Sequence, residues 1–251
     1  MNILKKGASV LAASLISMST YADVLGASAS VTYWSPDTSG TIKSGGGEID
    51  IDKDLRLKRD DSMIFTAVLE HPVPIVPNVR FQFTDMDQVA YGSVNNVNFN
   101  GQNFNGRTQT SLDLTNYDFT LYYEVLDNWV NLDLGLNAKI YDGSLILREQ
   151  DPDPVDGSYS TSRTDIDDII PMLYGNAVFE LPITSLSVGV EGSAISIGSD
   201  SAYDVLAKIR YRLSFFGIEA GYRAMGVNGK VSSIDVDATS EGPYLSALLI
   251  F

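Results

Sequence analysis

The chain has 251 residues, no cysteine, one histidine and a formal charge of −15. Its length suits one large β domain or two small ones; without cysteine there are no disulfide scaffolds, thiolate zinc sites, thiol nucleophiles or lipidated N-terminal cysteine. With 17 lysines and arginines against 32 acids the surface does not suit nucleic acid, 44% hydrophobic residues exclude wholesale disorder, and a mean hydropathy of +0.02 speaks against a multi-span helical membrane protein.

The first element is an address. Lys5 and Lys6 precede an apolar run from Gly7 to Met18, and Thr20, Tyr21 and Ala22 offer a small-x-small cleavage site. This is the layout of a secretory signal peptide over 1–22, too short in its apolar part to anchor as a transmembrane helix. The mature domain is then 23–251. Loss of Lys5 and Lys6 takes the net charge from −15 to −17.

From Val24 onward the pattern has period two, which predicts β-strands. Leu25, Ala27, Ala29, Val31 and Tyr33 share one face of the first strand. Tyr117, Phe119, Leu121, Tyr123 and Val125 alternate with Asp118, Thr120, Tyr122 and Glu124. Leu132, Leu134, Leu136, Ala138 and Ile140 alternate with Asp133, Gly135, Asn137, Lys139 and Tyr141. Later, Val205, Ala207, Ile209 and Tyr211 oppose Asp204, Lys208, Arg210 and Arg212. Ten strands result: 24–34, 63–70, 79–87, 112–125, 130–141, 169–181, 185–197, 203–213, 218–227 and 242–251. Residues 48–57, where Ile49 and Ile51 alternate with acids, form either a β-extension beyond the membrane or a displaced second strand.

Strands of about ten residues fit a tilted bilayer crossing better than a sandwich, whose strands run nearer five or six. Short turns follow the second, fourth, sixth and eighth strands. Of the remaining connections, 35–61, 88–111 and 142–168 are long and polar. Aromatic residues sit near the strand ends, with Tyr33, Trp34, Tyr141 and Tyr203 at one interface and Tyr123, Trp129, Phe215, Phe216 and Phe251 at the other. The predicted fold is all-β: a transmembrane antiparallel up-and-down β-barrel of about ten strands, with eight or twelve as the neighbouring even counts, and both termini periplasmic.

The chain ends on Phe251 after Leu245, Ala247 and Leu249, which resembles the signal read by the barrel-assembly machinery. The runs EHPVPIVPNVRFQFTD, LYYEVLDNWVNLDLGLNAKIYDG, PMLYGNAVFELP and GPYLSALLIF resemble a family of Gram-negative outer-membrane β-barrel proteins. The resemblance covers nearly the whole mature chain and implies a location in the outer membrane. It implies no activity, substrate or catalytic residue.

Chemistry is sparse. His71, before Pro72 in a short turn, lacks the partner that a base needs within hydrogen-bond reach, so a histidine-based envelope hydrolase is disfavoured. Ala194 to Gly198 comes close to a nucleophile elbow around Ser196, but the first glycine is missing. Asp50, Asp52 and Asp54 begin with calcium-loop spacing, but Leu55 stands where glycine is needed and Lys58 where a ligand belongs. Asp151, Asp153 and Asp156 form a weak candidate cluster for divalent cations, with a solvated acidic loop as the simpler reading. No catalytic residue and no cofactor site is assigned.

The lumen carries the strongest signal. Asp118, Glu124, Asp133, Glu180 and Glu191 point inward with Lys139, and Arg80, Lys208, Arg210, Arg212, Glu219 and Arg223 also line the bore. Inward charges must be paired or wet. The first expectation is therefore a narrow passive pore for small solutes or ions. The alternative is a structural or surface-interaction barrel with a side-chain-filled lumen, Glu191 lying near Lys208 or Arg210, since ten strands are nearer the filled end of the range. Expected partners are outer-membrane lipid, lipopolysaccharide, divalent cations at the loops and the barrel-assembly machinery. The connection 142–168 holds eight acids and two bases, the densest negative charge in the chain.

Overall fold

The computed structural model describes residues 25–44, 47–57, 61–73, 75–152, 157–231 and 234–251. The expected signal peptide lies outside them, as do Lys58, Asp153 and Asp156. In chain order the strands are β1 (Gly26–Trp34), β2 (Asp37–Ser44), β3 (Gly47–Asp50), β4 (Ser62–Glu70), β5 (Asn78–Asp85), β6 (Asp87–Phe99), β7 (Gln102–Asp113), β8 (Asn116–Leu126), β9 (Val130–Tyr141), β10 (Gly143–Glu149), β11 (Thr161–Ile166), β12 (Ile169–Leu181), β13 (Leu186–Ile197), β14 (Asp200–Leu213), β15 (Phe216–Val231) and β16 (Ile234–Ile250).

Ten of them make an antiparallel ring in the order β1-β4-β5-β8-β9-β12-β13-β14-β15-β16, closed where β16 pairs back onto β1 from Ser28↔Ile250 to Trp34↔Tyr244. Closure leaves no unpaired edge, which is the condition for strands to sit in lipid. The faces are inverted relative to a water-soluble barrel. On β8, Phe119, Leu121 and Tyr123 are exposed while Asn116, Asp118 and Thr120 are buried. Val31, Phe65, Leu136, Leu173, Val190, Ile209, Ile218 and Leu245 continue the exposed apolar face around the ring. A band of this extent on all sides has lipid as its physical solvent.

The second β layer was not anticipated. The connections 88–111 and 142–168, read as polar loops, instead contain β6, β7, β10 and β11, paired in the order β11-β10-β7-β6. Likewise 112–125 is not one strand, because β7 ends at Asp113 and β8 begins at Asn116. The four outer strands continue β5, β8, β9 and β12 past bends at Met86, Leu114–Thr115, Asp142 and Asp167–Asp168. Those bends are tied by Leu114 N–H to Met86 O at 2.7 Å and Tyr141 N–H to Asp168 O at 2.9 Å. At the tip, Asn100 and Gly101 both take positive φ (50° and 77°) between Phe99 and Gln102, the tight turn that asparagine–glycine favours.

Residues 48–57 resolve as the extension. After Pro36 the chain resumes as β2 on the outer half of β16, from Asp37↔Glu241 to Lys43↔Asp235, and turns back as β3. This wall faces the outer sheet, and between them lies a hydrophobic core. Ile42, Ile49, Ile51, Leu55 and Leu57 pack with Val94, Phe99, Phe104, Leu112, Leu145 and Leu147. The two walls thus converge over one mouth of the barrel and cap it.

Two aromatic assignments are corrected here. Trp34 is fully buried and donates from Nε1 to Gly242 O at 3.2 Å, so it faces the interior and not the interface. Tyr141 packs against the cap core, its hydroxyl 3.7 Å from Met225 Sδ. Both lie on the inward parity of their strands.

Candidate functional site

The barrel interior is built from the inward positions of all ten ring strands, and its charges meet in layers. Beneath the cap, Lys139 on β9 is fully buried and places Nζ 2.7 Å from Asp118 Oδ2 on β8 and 3.0 Å from Asp204 Oδ2 on β14. Arg223 on β15 grips the same Asp204 with two parallel bonds, Nη2 to Oδ2 at 2.6 Å and Nε to Oδ1 at 2.8 Å. Its guanidinium lies 4.7 Å from the centre of the Trp34 ring, where the ring's negative face favours a cation. Asp118 also accepts from Gln82 Nε2 at 3.2 Å and Asn137 Nδ2 at 2.7 Å. Each carboxylate in this layer therefore has several donors, as burial of charge demands.

One step further from the cap, Glu191 on β13 accepts from Lys208 at 2.5 Å and from Arg80 at 2.9 Å. Lys208 is on the adjacent strand, whereas Arg80 comes from β5 across the bore. Glu219 pairs with Arg210 at 2.7 Å and accepts from the Tyr244 hydroxyl at 2.9 Å.

Past this layer a polar cavity of about 360 Å³ opens toward the end with the short turns. Glu70, Glu124, Asp133 and Glu180 line it from β4, β8, β9 and β12, and Lys208, Arg210 and Arg212 from β14, while Arg80 rises from β5 among the acids. Tyr122 donates to Glu70 at 2.8 Å and Asn176 to Asp133 at 2.7 Å. Glu124, Glu180 and Arg212 are exposed at its mouth. A second, apolar cavity lies under the cap, and no residue lines both. The charged layers occupy the section between them.

Asp204 is the central residue that the sequence-based lining set omits. The signal was present, since Asp204 alternates with Val205 and shares parity with Lys208. Its importance comes from two cations on other strands, which strand parity alone does not reveal.

The remaining candidates are engaged elsewhere. His71 accepts from Val73 N–H through Nδ1 at 3.2 Å, and its Nε2 lies 3.2 Å from Pro77 O, so both ring nitrogens are occupied within the turn. Asp50 accepts from the backbone N–H groups of Asp52 and Lys53 and pairs with Lys53 Nζ at 2.6 Å, while Asp54 accepts from Asp50 N–H. Those carboxylates close a turn. Asp151 is held by Arg107, with Nη2 at 2.6 Å and Nε at 3.1 Å from Oδ1. That hydrogen bonding holds the Asp151 carboxyl below its ordinary value and raises Arg107. Among the described residues no group of three or more histidine or acidic side chains is placed to hold a metal ion.

No protein-family model and no curated protein matches the sequence. Solved structures do. The outer-membrane protease OmpT of Escherichia coli aligns at TM-score 0.55 with 10% identity, over 91% of this chain and 97% of that one. Ail, the attachment invasion locus protein of Yersinia pestis, aligns at TM-score 0.37 with 13% identity over 91% and 99%. Neisserial surface protein A aligns at TM-score 0.35 with 13% identity over 90% and 97%. Such identities speak to fold alone, and of the three the OmpT alignment is near enough to carry it. Together with the closed ring and its apolar outer face, it gives this chain the fold of a Gram-negative outer-membrane β-barrel.

Proposed function

We propose that this protein is a non-enzymatic outer-membrane barrel with a closed lumen, its short turns in the periplasm and its two-walled cap outside, acting through that outer surface. One observation carries the reading: the layer of Lys139, Asp118, Asp204 and Arg223, each 11% exposed or less in its side chain, lies directly beneath an apolar cap. An ion crossing here would have to strip paired charges of their partners and then enter a dry core, and both steps are costly. The name protease belongs to OmpT and is not carried over, because the one histidine here is spent on a turn. The acidic cap surface suits divalent cations bridging to lipopolysaccharide phosphates, and Phe251 suits recognition by the assembly machinery.

The deciding measurement is single-channel recording in planar bilayers, with insertion verified by a heat-modifiable gel shift. Closed barrels give no discrete steps. Steady conductance from the unaltered protein, with ion selectivity that changes in Arg210→Glu, would replace this reading with the narrow passive pore.

A further inference from the structure

Between the cap core and the uppermost charged layer lies a second cavity, of about 90 Å³. Its walls are apolar: Ile42 and Val236 from one side, Leu112 and Leu145 from the other, with Met225 at its base. Dry apolar cavities of this kind bind small molecules; an engineered cavity of about 150 Å³ takes benzene. The volume here suits an alkyl body of about four non-hydrogen atoms by the same measure.

Its polar lining is not uniformly satisfied. Thr38 and Ser240 hydrogen-bond one another at 2.9 Å, and the Tyr141 hydroxyl is spent on Met225. Asp168, at the bend between β11 and β12, also lines the cavity, and its Oδ2 is buried with no hydrogen-bond partner among the described residues. No lysine or arginine pairs with it there. A buried carboxylate oxygen left without a donor is expensive, so the chain holds an unmet demand for a cationic donor at the edge of an apolar space. Asp165 and Asp167 stand beside it in sequence, inside the most acidic stretch of the chain, which raises the local concentration of cations.

We infer that this cavity is a binding site for a short-chain primary amine, its ammonium group on Asp168 and its alkyl body between the two walls. Apolar surroundings alone would accept any small hydrocarbon, whereas the lone carboxylate selects the cationic member of an isosteric set. The site stands whether or not the barrel conducts, since it lies on the cap side of the charged layers.

The test uses the full folded protein in detergent, with methionine methyl groups isotopically labelled and the Met225 resonance assigned through Met225→Leu. Isobutylamine, isobutanol and isobutyrate are titrated separately. The expected result is a saturable shift of the Met225 methyl with isobutylamine, at least tenfold weaker with isobutanol and absent with isobutyrate. Asp168→Asn, nearly isosteric, removes the tenfold preference while keeping the heat-modifiable fold. Ala238→Leu, which fills the cavity, abolishes the shift from both isobutylamine and isobutanol. No saturable shift in the unaltered protein overturns the site, and equal binding of amine and alcohol, or unchanged amine binding in Asp168→Asn, overturns its ligand class.

Discussion

Arg80 on β5 and Glu191 on β13 meet at 2.9 Å although three strands separate them around the ring. Lys208 approaches the same carboxylate from the neighbouring strand, at 2.5 Å. Glu191 therefore binds two cations, one along the wall and one across it, and joins opposite sides of the barrel through its interior.

Removing the shared partner should cost more than removing either cation. Glu191→Leu strands both Arg80 and Lys208, so a loss of about 3–5 kcal/mol is expected, the range for breaking a buried ion pair. Arg80→Leu leaves Glu191 with Lys208 and should cost less. Urea unfolding of the refolded barrel gives the order, and equal midpoints for the two variants would contradict the shared-partner arrangement.

Lys139 bridges Asp118 and Asp204. Lys139→Met leaves Asp118 with only the neutral donors Gln82 and Asn137, while Asp204 keeps Arg223. Adding Asp118→Asn should restore part of the lost stability, because the uncompensated charge goes with it. A double variant weaker than Lys139→Met alone would count against this account.

The cap has its own core, so its stability separates from that of the ring. Leu147 is fully buried between the two walls, and Leu147→Ala should cost about 2–5 kcal/mol there. Amide exchange in β7 and β10 should rise while the heat-modifiable gel shift persists. Loss of the gel shift would mean that cap and ring unfold as one unit.

Gly101 tests the tip turn in isolation. A methyl group at this position meets nothing within 4 Å, so the cost of Gly101→Ala is the positive φ alone, about 1–2 kcal/mol. Faster exchange confined to the ends of β6 and β7 is the expected sign, and unchanged exchange would argue against the turn geometry.

The Arg107–Asp151 contact fixes a pH response. Arg107 lowers the Asp151 pKa in the folded state. The stabilisation is thus fully present above the unfolded carboxyl value and is lost as pH falls through the lowered folded value. Both groups are solvent-accessible, so the effect is small and fades with salt. Carboxyl NMR of Asp151 should titrate below an ordinary aspartate and return toward it in Arg107→Gln.

The ring was legible in the sequence because lipid enforces apolar residues at every second position, as with Phe119, Leu121 and Tyr123. The outer sheet of the cap was not, because the inward rows of β6 and β7 mix apolar groups with small and polar ones. Gln88, Ala90, Gly92 and Val94 form one such row, and Thr108, Thr110 and Leu112 another. Within the lumen, parity places a side chain inside, and adjacency finds Lys208 beside Glu191. It does not say which strands stand opposite once the sheet curls. Arg80 with Glu191 and Lys139 with Asp204 are cross-bore partners of that kind. Trp34 was misplaced for another reason: an aromatic at a strand end was read as interfacial although its parity points inward.

The seam between β1 and β16 sets the order of assembly. Across it, the Thr32 hydroxyl donates to Ser246 Oγ at 2.7 Å, between residues 214 positions apart. Every other neighbouring pair in the ring is nearer in sequence, so the seam is the contact of highest order and carries the greatest loop-closure entropy. Hairpins such as β14–β15 can zip as they emerge, but β1 keeps a bare edge until the last strand has been made. Until that strand pairs, the open edge is a template for other chains, so closing the seam is the step that removes the hazard.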